Sequence, residues 1–175
     1  MRAFATLRVT LLVTFMCAAL PLAGQGLSGR RAPSFSLPDS MFRQYDILDF
    51  RGRWLLLEFM KTDCPHCKAL SKTLEEVKAR HGAKVVILSV VIPPDNMATV
   101  GKYIAENKVT SPILFDSSQV AASYFKITPT NHASFDTPHL FAIDPGGMIV
   151  RDWGQSSADT KDWAKEFDQL LAGRK

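Results

Sequence analysis

The stretch Trp54-Leu55-Leu56-Leu57-Glu58-Phe59-Met60 constrains this chain more than any other. All but one of its residues are apolar and none alternates with solvent-seeking neighbours, so a strand built from it needs cover on both faces, as at the centre of an α/β sheet. Residues 84–92, a second such run, stop at Pro93-Pro94-Asp95. Between the two, Cys67, Leu70, Ser71, Leu74 and Val77 recur at helical spacing, while Lys68, Lys72, Glu75 and Glu76 take the other side and His81-Gly82 ends the helix. Residues 96–108 read as a second helix with Met97, Val100, Tyr103 and Ile104 on one side. A short strand at 112–116 and a helix at 118–125 follow. Alternation of this kind predicts a largely parallel sheet through the middle of the chain, covered by helices on both sides.

The flanks read differently. Before the first run, Phe35-Ser36-Leu37 and Tyr45-Asp46-Ile47-Leu48 lie among Pro33, Pro38 and Gly52 and predict a small N-terminal hairpin. A polar stretch covers residues 128–136. Leu140-Phe141-Ala142-Ile143, the turn Asp144-Pro145-Gly146-Gly147 and residues 148–153 then form a β-hairpin signal. Residues 158–171 give a closing helix with Trp163, Phe167, Leu170 and Leu171 toward the core. There is no internal repeat.

Residues 1–25 have the layout of a secretory signal: Arg2 and Arg8, an apolar core, then the small residues Ala23, Gly24 and Gly26. The apolar run is shorter than the roughly 20 residues that span a bilayer, so cleavage is favoured over an uncleaved N-terminal anchor. Cleavage would discard Cys17, leaving two cysteines in about 150 residues, enough for one domain with a single core. Loss of Arg2 and Arg8 halves the formal charge of +4. Without a basic tract or interleaved aromatic and basic residues, nothing points to nucleic acid. Export, to a periplasmic or other extracytoplasmic space, is where a disulfide persists, yet one pair is too few to staple a scaffold, so a redox use explains the cysteines better.

Those cysteines are Cys64-Pro65-His66-Cys67, opening the first helix. A thiol attacks a disulfide only as thiolate, and a helix N-terminus favours negative charge. Pro65 suits the first helical turn, where its missing N–H has no partner to lose. His66 adds a donor or positive charge beside Cys64, while Asp63 opposes weakly. Cys67, turned inward, fits the resolving thiol. Glu58 falls where burial is expected, and a buried carboxylate is costly unless neutral or paired. Strand alternation puts it under the pair, where it can exchange a proton with Cys67; the bland alternative pairs it with Lys61 or Lys84.

Together with Thr137-Pro138-His139-Leu140-Phe141-Ala142-Ile143-Asp144 and Gly146-Gly147, these residues resemble the exported thioredoxin-like proteins of the TlpA/ResA group, close to the AhpC/TSA redoxins. The resemblance implies an α/β, thioredoxin-like fold over residues 30–175: a central mixed sheet flanked by helices, the N-terminal hairpin, and residues 96–116 as a helix-strand insertion. It also implies protein thiol-disulfide exchange by Cys64 and Cys67 with no cofactor and no metal. Partners would be protein thiols or disulfides and a redox partner protein. Pro138 maps to a cis-proline facing the cysteines, with Thr137 before it, and Thr128-Pro129 is a decoy in an extra loop. Glu58 falls where thioredoxins carry a buried acid. The Pro65-His66 dipeptide matches DsbA-type oxidases whereas Thr137 matches reductases, so the direction of electron flow stays open. Lys61 stands where a peroxiredoxin carries Thr or Ser, which argues against peroxidase chemistry.

A reading from another class is a thioredoxin-fold copper chaperone using Cys64, Cys67 and one of His66, His132 or His139, since soft thiolates suit Cu(I). Its cysteine spacing is against it, because such chaperones place three residues between the thiols. His81 reads as a helix C-terminal residue and Trp54, Trp153 and Trp163 as core or groove filler.

Overall fold

The computed structural model describes residues 26–131, 133–158 and 161–173. The signal or anchor expected at 1–25, Cys17 within it, and His132 lie outside the described residues. The strands are β1 (Arg30–Arg31), β2 (Ser36–Pro38), β3 (Gln44–Asp46), β4 (Trp54–Met60), β5 (Val85–Val91), β6 (Ile113–Phe115), β7 (His139–Ile143) and β8 (Met148–Trp153). The helices are α1 (Pro65–His81), α2 (Met97–Asn107), α3 (Gln119–Tyr124), α4 (Gln155–Ala158) and α5 (Asp162–Gly173). None is long and apolar enough to cross a membrane.

Six strands form one sheet in the order β1-β8-β7-β4-β5-β6, and β2 pairs with β3 as the N-terminal hairpin. Every residue of β4 is buried, as its unbroken apolar run requires. The sheet is mixed: β4-β5 and β5-β6 are parallel, while β4-β7, β7-β8 and β1-β8 are antiparallel. A largely parallel sheet therefore holds only for the middle stretch, because the tight turn at 144–147 forces its two strands to run opposite ways. There the Asp144 carboxylate accepts the Met148 N–H at 2.9 Å and Gly147 takes φ +81°.

Two layers pack against the sheet. On one face, Trp54, Leu56, Val85, Ile87 and Leu140 meet Leu70, Leu74 and Val77 of α1 and Trp163 and Phe167 of α5. Beside them, Met60 and Val91 meet Cys67 and the Val100 and Tyr103 side chains of α2. On the other face, Leu55, Leu57, Phe59, Leu88 and Phe141 pack with Tyr124, Phe125, Phe35 and Ile47. Two local expectations shift. Ile47 and Leu48 lie in a short 3-10 helix, started by the Asp46 carboxylate accepting the Leu48 N–H at 2.8 Å, rather than in the hairpin strand. Met97, the first residue of α2, is exposed, while Val100 and Tyr103 are buried in the core and Ile104 packs against it partly buried.

Candidate active site

The site forms where β4 ends and α1 begins. Asp95, just beyond β5, clamps the connecting loop: it accepts the Thr62 N–H at 3.1 Å, the Thr62 hydroxyl, and the Thr99 hydroxyl of α2 at 2.9 Å. Cys64 is the N-cap of α1, with extended backbone, Pro65 in the first turn, and its Sγ accepting the Cys67 N–H at 3.2 Å. The sulfur thus satisfies one of the otherwise unpaired N–H groups at the helix start. Cys64 is half-buried and Cys67 fully buried, both as free thiols. Burial pushes the Cys67 thiol up, and the Cys64 sulfur and the Glu58 charge add to the rise.

Opposite the pair, the Thr137–Pro138 bond is cis and the Thr137 carbonyl lies 3.6 Å from Cys64 Sγ, placed to accept from the thiol. Pro93–Pro94 is also cis, and Thr128–Pro129 is not among the cis bonds of the described residues. His66 is exposed at the mouth of the site.

Glu58 is completely buried on the α1 face, between Leu56 and Met60. Ser89 donates to its Oε2 at 2.7 Å, while Oε1 has no partner among the described residues. Burial raises its pKa to about 7, with the Ser89 hydrogen bond drawing it partly back. The bland pairing with Lys61 or Lys84 finds no counterpart among the ion pairs of the described residues. Ser89 itself escaped the sequence reading. It breaks the apolar run of β5 as Glu58 breaks that of β4, and the parallel register pairs the two positions directly.

The side of the site is aromatic. Phe125 and Phe135 stack with centroids 3.9 Å apart, and Phe125 meets the His139 ring edge-on at 4.9 Å. His139 Nε2 lies 3.0 Å from Asp152 Oδ2, and Ser28 donates to the other Asp152 oxygen. Burial alone would raise Asp152, but the hydrogen bonds from His139 and Ser28 hold it below the usual carboxylate range. A cleft of about 570 Å³ opens between these groups and His66. The copper alternative finds no support among the described residues, to which His132 does not belong: no group of three His, Cys, Asp or Glu residues gathers there for a metal, and His139 is engaged by Asp152.

A six-stranded mixed sheet, a helix opening on two cysteines and a cis-proline facing them define the thioredoxin-like class. Within it the chain belongs to the AhpC/TSA family, whose family model matches residues 28–152. Among curated proteins it resembles thiol-disulfide oxidoreductase ResA. The Geobacillus thermodenitrificans protein is 26% identical over 126 residues, covering 70% of this chain and 67% of the relative. The Bacillus thuringiensis subsp. konkukian protein is 20% identical over 139 residues, covering 79% and 75%. Among solved structures, the thioredoxin domain of a thiol-disulfide oxidoreductase from Bacteroides vulgatus superposes with TM-score 0.64 at 20% identity, covering 80% of this chain and 96% of that one. A secreted Mycobacterium tuberculosis disulfide oxidoreductase gives TM-score 0.61 at 15% identity, covering 75% and 92%. At these identities the structural likeness speaks for the fold.

Proposed function

We propose that this chain is an exported protein thiol-disulfide oxidoreductase that works through Cys64 and Cys67, with residues 1–25 as its export signal and 30–175 as its catalytic domain. The observation that carries the reading is the inequality of the two sulfurs. Cys64 is reachable from solvent and held at a helix start, while Cys67 is sealed beneath it with a thiol that burial keeps protonated. In the reducing direction the Cys64 thiolate attacks one sulfur of a substrate disulfide, that S–S bond breaks, and the departing substrate sulfur takes up a proton. Cys67 then gives its proton to the Glu58 carboxylate and attacks Cys64 Sγ, the bond from Cys64 to the substrate sulfur breaks, and the second substrate sulfur leaves and takes up a proton from water while Glu58 returns its own to solvent. The substrate gains two electrons and two protons, and the chain keeps a Cys64–Cys67 disulfide. Oxidation of a dithiol substrate reverses each step. The names of the ResA relatives and the N-terminal layout support this reading.

Dithiothreitol-driven reduction of insulin tests it. Cys64→Ser is expected to abolish turnover, and Cys67→Ser to accumulate a mixed disulfide visible by mass spectrometry. Equal trapping by both variants would sink the assignment of roles. The reduction potential then gives the direction, a value near about −120 mV marking an oxidant and one near about −270 mV a reductant.

A further inference from the structure

In the reducing direction each round of exchange leaves a proton on Glu58, and that completely buried group must lose it before the next round. Two other polar side chains lie buried close by. Ser71 of α1 is 4% exposed, and its Oγ lies 2.8 Å from the hydroxyl of Tyr103 in α2, which is 2% exposed. Neither hydroxyl has a part in the exchange steps. Nor does the fold need the pair, since replacing both partners of a buried hydrogen bond by apolar groups of the same shape is close to neutral.

The position of the pair follows from the rise per residue. α1 starts beyond the end of β4 and runs back over it to reach β5, which is parallel to β4. Cys67 and Ser71, four apart, share one face of α1, and Glu58 and Met60, two apart, share one face of β4. Met60 and Cys67 belong to one core cluster, together with Tyr103. Four residues on in the helix and two residues back in the strand are both steps of about 6–7 Å, so Ser71 stands at the level of Glu58. The Tyr103 hydroxyl feels the same neighbours: burial raises its pKa most, the Ser71 hydrogen bond draws it partly back, and the charges of Glu58, Cys67 and Cys64 raise it further. At one end of this arrangement, Glu58 Oε1 has no partner among the described residues. At the other, Tyr103 lines a surface cleft of about 380 Å³ with Thr62, Lys68, Thr99, Lys102 and Glu106.

We infer that Ser71 and Tyr103 are the route by which Glu58 exchanges its proton with solvent, through one water between Glu58 Oε1 and Ser71 Oγ and out into the cleft beside Lys68 and Lys102. The inference rests on the exchange reading, in which Glu58 takes the Cys67 proton, and adds the path by which that proton leaves. The Glu58 O–H bond breaks as the water takes its proton and passes one of its own to Ser71 Oγ. Ser71 gives its original hydrogen to the Tyr103 oxygen, and Tyr103 gives its own to a water of the cleft. Glu58 is left as the carboxylate, each hydroxyl again carries one hydrogen, and no electrons move. The reverse sequence reloads Glu58. Both residues act through Glu58 and touch no substrate sulfur.

Carbon NMR of the Glu58 carboxyl group, recorded near its midpoint of about 7, reads the proton exchange rate by relaxation dispersion. Tyr103→Phe keeps the ring and removes the hydroxyl. It is expected to slow the exchange about a hundred-fold, the low end of what a positioned proton-transfer group supplies, with the midpoint unmoved. Ser71→Ala breaks the pair from the other side and is expected to slow it as far, and both changes together to slow it no further. A merely structural pair would change stability or the midpoint and leave the exchange rate alone. Exchange at the wild-type rate in either variant overturns the inference, and insulin reduction by the wild-type chain then spares the exchange reading. Slowed exchange in the variants of a chain that does not reduce insulin supports the route and sinks the exchange reading.

Discussion

Glu58 ties the chemistry of the site to the pH dependence of the fold. Burial raises its pKa from 4.5 to about 7, so between those values the folded chain holds a proton that the unfolded chain has released. The stabilisation from this protonation is fully present below about 4.5, is lost as pH rises through about 7, and is absent above. At about 1.4 kcal/mol per pKa unit the window is worth roughly 3 kcal/mol. Glu58→Gln keeps the shape and an acceptor for Ser89 but cannot ionise. Between about pH 5 and about pH 8 the wild-type chain is expected to lose roughly 2–3 kcal/mol more stability than the variant, measured by urea unfolding. Parallel curves would mean that the Glu58 pKa is the same folded and unfolded. In stopped-flow mixing the same variant is expected to resolve mixed disulfides more slowly while Cys64 attacks at its normal rate; unchanged resolution would leave Glu58 a structural acid only.

The loop between β4 and α1 and the start of α2 are held as one piece by Asp95, which accepts from Thr62 twice and from Thr99. Asp95→Ala leaves the two Thr62 donors without their acceptor, while the Thr99 hydroxyl keeps the Asn96 carbonyl, and is expected to cost about 1–3 kcal/mol in denaturant unfolding, with slower reaction of Cys64 toward a small aryl disulfide. Asp95→Asn, still an acceptor, is expected to fall between. An Asp95→Ala chain with wild-type stability and rate would show that the loop needs no clamp. How far such features can be read from sequence depends on whether their cause is local. The buried run of β4, the helix bearing the cysteines and the Gly82 stop at φ +56° are periodicity and backbone chemistry, legible in a dozen residues. The two-residue β1 is not, since Arg30 and Arg31 are extended only because the edge of β8 offers them partners. Ser89 was hidden for the same reason: its meaning comes from lying beside Glu58 across a register that joins distant segments. The polar stretch at 128–136 was legible as a loop, but the stacking of Phe135 on Phe125 near its end depends on tertiary packing.

Across the whole molecule, β4 is shared by both layers: Trp54 and Leu56 point into the α1 and α5 face, and Leu55, Leu57 and Phe59 into the opposite one. All three tryptophans of the chain, Trp54, Trp153 and Trp163, belong to the first face, so tryptophan fluorescence reports that face alone. Leu57 is fully buried on the second. Leu57→Ala removes side-chain atoms from a packed layer and leaves a cavity, with an expected cost of about 2–5 kcal/mol. Because the altered residue sits in the strand that both layers need, the tryptophan transition is expected to shift to lower denaturant by as much as the far-ultraviolet circular dichroism transition, although no tryptophan belongs to the cluster that lost the atoms. Coincident curves in the wild-type chain and an equal shift in the variant mark one cooperative unit. A tryptophan midpoint that stays in place while the backbone signal moves would mean that the two faces unfold separately, and that the cysteine-bearing face can persist without the aromatic layer that supports the cleft.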